Sequence, residues 1–543
     1  MRGTPRVKIP RKPKKHGTAK RQLVTQQDYY EEATNVEEQA ERWLLSDVKK
    51  ALRFYLQAYH LYEAAAAQGM GEATEDCTYN VYYNETRLLL QVYSDYLGNE
   101  GYINVLRYLN LDDIPGLSAI LLPLQEVVAR LESVYDQYRN SMQDTWDLQS
   151  NLLTAYLMLL ESAETCGLDG TGIVQLCDKF IPLAQDLISQ QIDELESWRE
   201  TSISQESESR RQETREFEEQ SLTTESAVSS EGDYMSISDQ VTVDTFTEVL
   251  VDCYKFVEST MEVIIESRVE ASGAEEIALG VEHTRYLEEQ IEKFYLEVDD
   301  VVATTSKNIP VELKDINTIK LEIAGLRVIA DGNIELIKEY MDVQNVTGSD
   351  LRTKLMKIDL LDFTVACTPA DNFQGLWELT TMLSKLLSSA EAELSKERTE
   401  TLEAQVFDQE RADRLSSVVF RLCSLYINSS DNELRRWVIK KNQNDYSPDA
   451  GADKVLDVLM RNSRTLLSNA MKIAEKPCGM QETIVDKLKR NYVYNQAKMR
   501  LSILNSDGMS EIPDSSNHFN DIMDLLRDHP YYSQLPVNTA VPC

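Results

Sequence analysis

The stretch ERWLLSDVKKALRFYLQAYHLYEAAAA, residues 41–67, has the clearest helical pattern in the chain. Within it, Ala51, Tyr55 and Ala58 recur at helical spacing, which places them on one face of an α-helix. Small side chains flank an aromatic one on this face, so a second helix can pack closely against it. The stretch therefore predicts a pair of closely packed helices.

This pattern resembles the second helix of a tetratricopeptide repeat (TPR), in which two small residues and a bulky one let paired helices approach. The resemblance covers mainly residues 33–97. Gln39 and Arg42 depart from it, because the family prefers a small and an aromatic residue at those positions. The resemblance implies an α-solenoid that binds other proteins, whereas an ordinary amphipathic bundle helix would explain the same residues.

Helical patterns separated by short breaks fill most of the chain, so we expect an all-α protein of antiparallel helix pairs stacked as a TPR-like α-solenoid. Its 543 residues, of which 42% are hydrophobic, suffice for more than one domain. We predict a disordered basic arm at residues 1–24 and an N-terminal helical-repeat domain at residues 25–198. A disordered acidic Ser/Glu-rich linker at residues 199–238 joins this domain to a C-terminal helical-repeat domain at residues 239–505. A tail follows at residues 506–543. Within the C-terminal domain, the polar cluster at 428–432 predicts the end of one helix and the cap of the next.

Charge suggests the kind of partner. The chain has 91 acidic against 55 basic residues and a net charge of -36. Most of its surface should therefore avoid nucleic acid and anionic lipid and suit a basic polypeptide, although acidity also serves plain solubility.

The basic arm has the opposite charge. Arg11, Lys12, Lys14 and Lys15 surround Pro13 and resemble a short nuclear localisation signal. We favour nuclear import, with possible shuttling to the cytoplasm. A contact with nucleic-acid phosphate or with the acidic body would explain the same cluster.

Three further features are candidate binding surfaces. A peptide groove is predicted at Tyr79, Asn80, Tyr83, Asn84 and Arg87. Asparagine amides can bind a peptide main chain, and tyrosine hydroxyls suit a solvated groove; the alternative is that these residues serve packing or capping.

A basic-aromatic patch is predicted at Arg435, Arg436, Trp437 and Lys440. It would contact phosphate or an acidic tail; the alternative is a helix face with snorkelling side chains. Phe519, Ile522, Met523 and Leu526 form one face of a predicted tail helix, which docks on a partner or caps the last repeat.

Catalytic and metal-binding motifs are absent from the sequence. The five histidines have no second ligand at metal spacing, the eight cysteines form no CxxC pair, and the glycine-rich residues 167–172 lack the GK[ST] ending of a phosphate-binding loop. No secretory h-region and no membrane-spanning apolar run occurs. We therefore expect an intracellular protein that is not an enzyme and uses no metal or cofactor.

These features together predict an acidic, TPR-like scaffold, chaperone or adaptor that holds a basic client, such as a ribosomal protein or histone, in the nucleus. Masking of the client's positive charge would prevent wrong nucleic-acid contacts. The alternative is an architectural subunit of a nuclear transcription, chromatin or RNA-processing complex.

Overall fold

A computed structural model describes most of the chain. The described residues are 23–68, 75–98, 104–139, 146–216, 241–269, 279–307, 309–343, 350–403, 409–446, 452–479 and 482–505, together with Ile522, Leu526, His529, Tyr531 and Tyr532. The basic arm, including Arg11, Lys12, Lys14 and Lys15, lies outside these residues.

The described part of the chain is built from fifteen α-helices and contains no β-strand, which confirms the all-α prediction. The helices are α1 Gln26–Glu41, α2 Val48–Gln68, α3 Glu75–Val92, α4 Leu124–Tyr138, α5 Trp146–Glu161, α6 Gly170–Glu216, α7 Val243–Val269, α8 Val281–Thr305, α9 Leu313–Ala330, α10 Ile334–Val343, α11 Leu351–Cys367, α12 Phe373–Glu403, α13 Gln409–Tyr446, α14 Ala452–Ala474 and α15 Ile484–Leu504. A π-helical segment, Tyr93–Gly98, follows α3, and two short 3₁₀ segments, Val105–Tyr108 and Leu117–Ala119, precede α4. None of the described helices combines the length and apolar character needed to cross a bilayer.

The first helix pair, α1 and α2, contains the small and aromatic face predicted from residues 41–67. Thr25 caps α1, since its hydroxyl accepts a hydrogen bond from the Asp28 amide while the Asp28 carboxylate accepts one from the Thr25 amide. Ala51, Tyr55 and Ala58 of α2 are completely buried, and α1 is the main neighbour of this helix. The small and aromatic face therefore allows the close packing that the sequence predicts.

Helices α3, α5, α7, α9 and α11 form a row, since each packs on the next in that order. Most of the described helices also pack on their neighbours in the sequence. Such contacts between successive helix pairs are the pattern of an α-solenoid.

The core continues across the predicted linker. Phe180 of α6 stacks on Phe256 of α7 with ring centroids 3.7 Å apart, and Phe294 of α8 meets Phe180 edge-on at 6.1 Å. Helix α6 itself extends to Glu216, because no glycine or proline interrupts residues 183–231. Residues 199–216, which we assigned to the linker, are therefore helical, while residues 217–240 lie outside the described part.

The predicted helix boundary at residues 428–432 was wrong, since α13 runs through it without a break. The polar side chains in this segment bond to neighbouring helices instead of capping helix ends. The Ser430 hydroxyl lies 2.7 Å from that of Ser463 in α14, and Asn432 Nδ2 donates to the Thr380 carbonyl of α12 at 3.0 Å. All four residues are buried, so these bonds replace water for groups that would otherwise be unsatisfied.

The described residues of the tail pack against the C-terminal helices. Ile522 and Leu526 are each 1% exposed and belong to the same apolar cluster as α13, α14 and α15. The Tyr532 hydroxyl donates to Asp431 Oδ1 of α13 at 2.7 Å. The described residues of the predicted tail face therefore act as a cap, while Phe519 and Met523 lie outside the described part.

Candidate functional site: an acidic cavity

A cavity of about 690 Å³ lies between the C-terminal end of α5 and helices α7, α9 and α11. Its lining includes eight carboxylates but only two cations, Lys255 and Arg352. We call this site the acidic cavity. Its carboxylates are Glu161 and Glu164 at the end of α5, and Glu258, Glu262, Glu266, Asp315, Glu322 and Asp359 on the other three helices.

Helical spacing places the central carboxylates together. Glu258, Glu262 and Glu266 follow one another at intervals of four residues and form a stripe along α7. Glu322 reaches the same space from α9, which packs directly on α7. Apolar side chains on the neighbouring helices, including Met356 on α11, form the buried backing of the cavity.

Glu258 and Glu322 share a hydrogen bond between their carboxyl groups, so one of them carries a proton. Burial raises the pKa of both groups, and the nearby charges of Glu322 and Glu262 raise the pKa of Glu258 further. Lys255 opposes this shift only in part. Two carboxylates in a half-buried space resist simultaneous ionisation, which is the physical cause of the raised values.

Glu262 is affected in the same way. Burial, followed by the charges of Glu322 and Glu266, raises its pKa to about 7. This carboxyl group is consequently half protonated near neutral pH, whereas an exposed glutamate is fully ionised. A cation that enters the cavity would favour the ionised form and would be stabilised by it.

The two basic side chains leave this negative charge largely uncompensated. Arg352 forms an ion pair with Asp315, and Lys255 is exposed. Among the described residues, no group of three or more His, Cys, Asp or Glu side chains is placed to hold a metal ion. The cavity lining therefore has more carboxyl groups than basic side chains that could pair with them.

The predicted groove residues lie together on α3, but several of their polar groups face the chain itself. Tyr79 is 4% exposed, and its hydroxyl donates to Asp147 Oδ1 at 3.1 Å. Its ring stacks on that of Tyr83, whose hydroxyl accepts a bond from Asn151 Nδ2 at 3.4 Å. These two tyrosines contribute to the packing of α3 on α5.

The other groove residues are similarly engaged. Asn84 Nδ2 donates to the Asn80 carbonyl at 2.8 Å, and Arg87 Nε donates to Asn84 Oδ1 at 3.2 Å. The Arg87 guanidinium also pairs with Glu37, which is 2% exposed and accepts a second bond from Tyr62 at 2.7 Å. Only Asn80 is exposed among the five predicted residues, so peptide binding by this set stays a prediction.

The predicted basic-aromatic patch is divided between two contacts. Arg435 donates to Asp362 Oδ1 of α11 at 2.7 Å, and its guanidinium lies 5.2 Å from the ring of Tyr531 in the tail. Arg436 instead donates to Glu433 at 2.7 Å and lies 4.7 Å from the ring of Trp377 on α12.

Trp437 and Lys440 are half-buried on the same helix. Lys441 lies over the Trp437 ring, with the ammonium 5.0 Å from its centroid, and Lys440 donates to Gln443 at 3.3 Å. The four predicted residues are thus adjacent on α13, but both arginines are paired with carboxylates of the chain. Binding of phosphate or an acidic tail by this patch stays a prediction.

The acidic cavity was not predicted from the sequence, because carboxylates at helical spacing are most often on solvated helix faces. The available signal was the four-residue spacing of Glu258, Glu262 and Glu266 along one amphipathic helix. Glu322 gave no such signal, because its place beside Glu258 depends on the packing of α9 on α7.

Comparisons with known proteins identify the family. Residues 164–331 match a family model described as the YNL193W-like protein middle domain, and residues 345–536 match one described as the YNL193W C-terminal domain. These models differ from the tetratricopeptide repeats that the sequence resembles. A solved circular tandem repeat protein with novel repeat topology aligns over 89% of this chain and 98% of its own, at 10% identity and a TM-score of 0.25.

One curated relative matches nearly the whole chain. The uncharacterized protein YNL193W of Saccharomyces cerevisiae is 37% identical over 556 residues, which cover 96% of this chain and 98% of the relative. The chain therefore belongs to the YNL193W family.

Proposed function

We propose that this protein is a non-enzymatic scaffold or adaptor whose acidic cavity binds an exposed segment of a basic protein, of the ribosomal-protein or histone type. The observation that carries the proposal is the presence of eight carboxylates and two cations around one cavity of about 690 Å³. Lysine or arginine side chains of a client would supply the missing positive charge.

The size of the cavity limits the form of the client. Its volume is in the range of small-ligand pockets and accepts a few side chains, not a folded domain. A basic tail or loop that enters with several cations fits this space. The resemblance of the α1–α2 pair to a tetratricopeptide unit agrees with a protein-binding role, and we retain it as part of the proposal.

The tail distinguishes this proposal from the architectural alternative. An architectural subunit would use exposed apolar faces for its partners, and the tail face was the candidate for that role. Ile522 and Leu526 are instead buried within the chain. The acidic cavity is therefore better supported as a binding site than the tail face.

Peptide binding tests the proposal directly. The probe is a fluorescent peptide rich in lysine and arginine, titrated with the full-length protein while its anisotropy is measured. The test variant combines Glu258→Gln, Glu262→Gln and Glu322→Gln. The matched control combines Glu282→Gln, Glu289→Gln and Asp300→Asn, which make the same number of acid-to-amide changes at exposed positions on α8.

We expect the cavity variant to lose at least about tenfold in affinity, because it removes charge partners from a partly desolvated site. The control should change affinity much less. Added salt should weaken wild-type binding, since charges beyond about 10 Å are screened at 0.1 M. Equal losses in the two variants would place the peptide elsewhere, and a wild-type protein that fails to bind it would remove the proposal.

We also propose that the basic arm directs nuclear import through Arg11, Lys12, Lys14 and Lys15. Deletion of residues 1–21 should abolish nuclear accumulation of a fluorescent fusion and leave its helical content unchanged. A deletion variant that still accumulates in the nucleus would remove the import hypothesis without affecting the acidic cavity.

A further inference from the structure

The last long helix contacts both ends of the helix array. One face of α15 packs with α13 and α14, where Val493, Ala497 and Leu504 are buried in the C-terminal apolar cluster. This contact joins neighbours in the sequence and extends along most of the helix.

The beginning of α15 instead meets the N-terminal part of the chain. The Ile484 amide donates to the Leu45 carbonyl at 3.2 Å, next to the connection between α1 and α2. Val485 is 7% exposed and belongs to the large apolar cluster that begins with α1. The Tyr492 ring meets that of Tyr108 with centroids 6.0 Å apart. We call this set of contacts the seam.

We propose that α15 is a clasp: its seam closes the row of helix pairs on itself, and the seam opens while the rest of the array stays folded. The proposal concerns the motion of the scaffold and does not depend on the nature of the client.

The composition of the seam explains why it would open first. Val485 is buried, but Leu488 and Tyr492 are half-buried, and Leu45 and Ile484 are 50% and 41% exposed. By contrast, the contact of α13 with α14 buries Leu434 and Leu467 completely. Regions with few buried apolar contacts open locally at the lowest free-energy cost.

The hydrogen bond across the seam is also easily exchanged for water. Ile484 is the first residue of α15, so its amide has no acceptor within the helix. Thr483 caps the helix independently, since its hydroxyl accepts a bond from the Asp486 amide at 3.1 Å. Loss of the seam therefore leaves the start of α15 intact.

A disulfide across the seam tests its existence. The double variant Leu45→Cys and Ile484→Cys places thiols on two residues whose backbones are joined by a hydrogen bond, so a disulfide between them reports that the two segments lie together. The control pairs Leu45→Cys with Lys498→Cys, an exposed position about 21 Å further along the same helix at 1.5 Å per residue. Mild oxidation followed by peptide mass spectrometry should find the disulfide in the first variant only. Similar yields in both variants would overturn the closed arrangement.

Comparison of the oxidised and reduced forms of the first variant tests opening. We expect hydrogen exchange in the peptide that contains Ile484 and Val485 to slow at least about tenfold on oxidation, because the disulfide prevents local opening. Exchange in α14 around Leu467 should not change. Small-angle scattering should give a smaller radius of gyration for the oxidised form. Identical exchange and identical radii in both forms would show a seam that does not open, and would overturn the proposal.

Discussion

Replacement of Glu262 by glutamine should raise the free energy of unfolding at pH 8 and leave it almost unchanged at pH 4. The glutamine side chain resembles the protonated glutamic acid but cannot ionise. In the folded protein, burial and the charges of Glu322 and Glu266 raise the pKa of Glu262 from 4.5 to about 7. Ionisation of this group therefore destabilises the fold.

The sign follows from proton linkage. A carboxyl group whose pKa is raised by folding stabilises the fold below its unfolded pKa of 4.5, and this contribution is lost as the pH rises through 7. One pKa unit corresponds to about 1.4 kcal/mol, so ionisation costs at most about 3 kcal/mol. Glu262 is only partly buried, and its neighbours can reorganise. We therefore expect the substitution to raise the free energy of unfolding at pH 8 by about 1 to 3 kcal/mol.

Urea unfolding of the full-length protein, followed by circular dichroism at pH 4, 6 and 8, measures this difference. Glu289→Gln is the matched control, because Glu289 is exposed on α8 and outside the acidic cavity. The control should be nearly neutral at all three values. A Glu262→Gln variant that is equally stabilised at pH 4 and 8, or destabilised at pH 8, would refute the electrostatic account of the cavity.

Three further substitutions test the contacts that hold the fold. Arg87→Ala should lower the free energy of unfolding in urea by about 3 to 5 kcal/mol, because it leaves the buried Glu37 carboxylate without its cation. Glu37→Gln in the same chain should recover part of the loss. An Arg87→Ala variant with unchanged stability would instead favour the prediction that Arg87 is a groove residue available for binding. Ser430→Ala should lower the free energy of unfolding by about 1 to 3 kcal/mol, because it leaves the buried Ser463 hydroxyl without its partner. A smaller loss in the Ser430→Ala, Ser463→Ala double variant would attribute the effect to the lost hydrogen bond and not to a general packing defect. Tyr532→Phe should lower the free energy of unfolding by about 1.5 to 3 kcal/mol, because it removes the hydrogen bond to Asp431, and should speed proteolysis of the tail. Unchanged proteolysis would contradict the role of Tyr532 in holding the tail on α13.

Helix boundaries were predictable where glycine and proline set them. Helix α9 spans Leu313–Ala330, and its bounds can be read from the sequence, because Pro310 precedes it and Gly332, with φ of 66°, lies in the short connection that follows. Pro123 likewise stands immediately before α4. Both residue types act through local backbone geometry, so no knowledge of the tertiary structure is needed.

Polar residues were less informative, because the same side chain can cap its own helix or bond to another. The segment 428–432 has the composition of a cap, yet Ser430 and Asn432 use their side chains across to α14 and α12. Arg87 similarly suggested a binding residue but neutralises Glu37 from a different helix. These partners are 33 to 52 residues away in the sequence, beyond the reach of local patterns.

The acidic cavity was not predictable from local patterns for the same reason, because its carboxyl groups come from different helices. It is the stronger functional candidate because these groups destabilise the fold. Glu258 and Glu322 cannot both ionise freely, so neutral side chains of similar shape would stabilise this part of the fold at neutral pH. A protein that served only as a rigid spacer would gain from such replacements. Carboxyl groups that oppose folding are useful when a positively charged partner pairs with them. This supports our proposal of a binding site among α5, α7, α9 and α11 in preference to the surface of α3, whose polar groups are already paired.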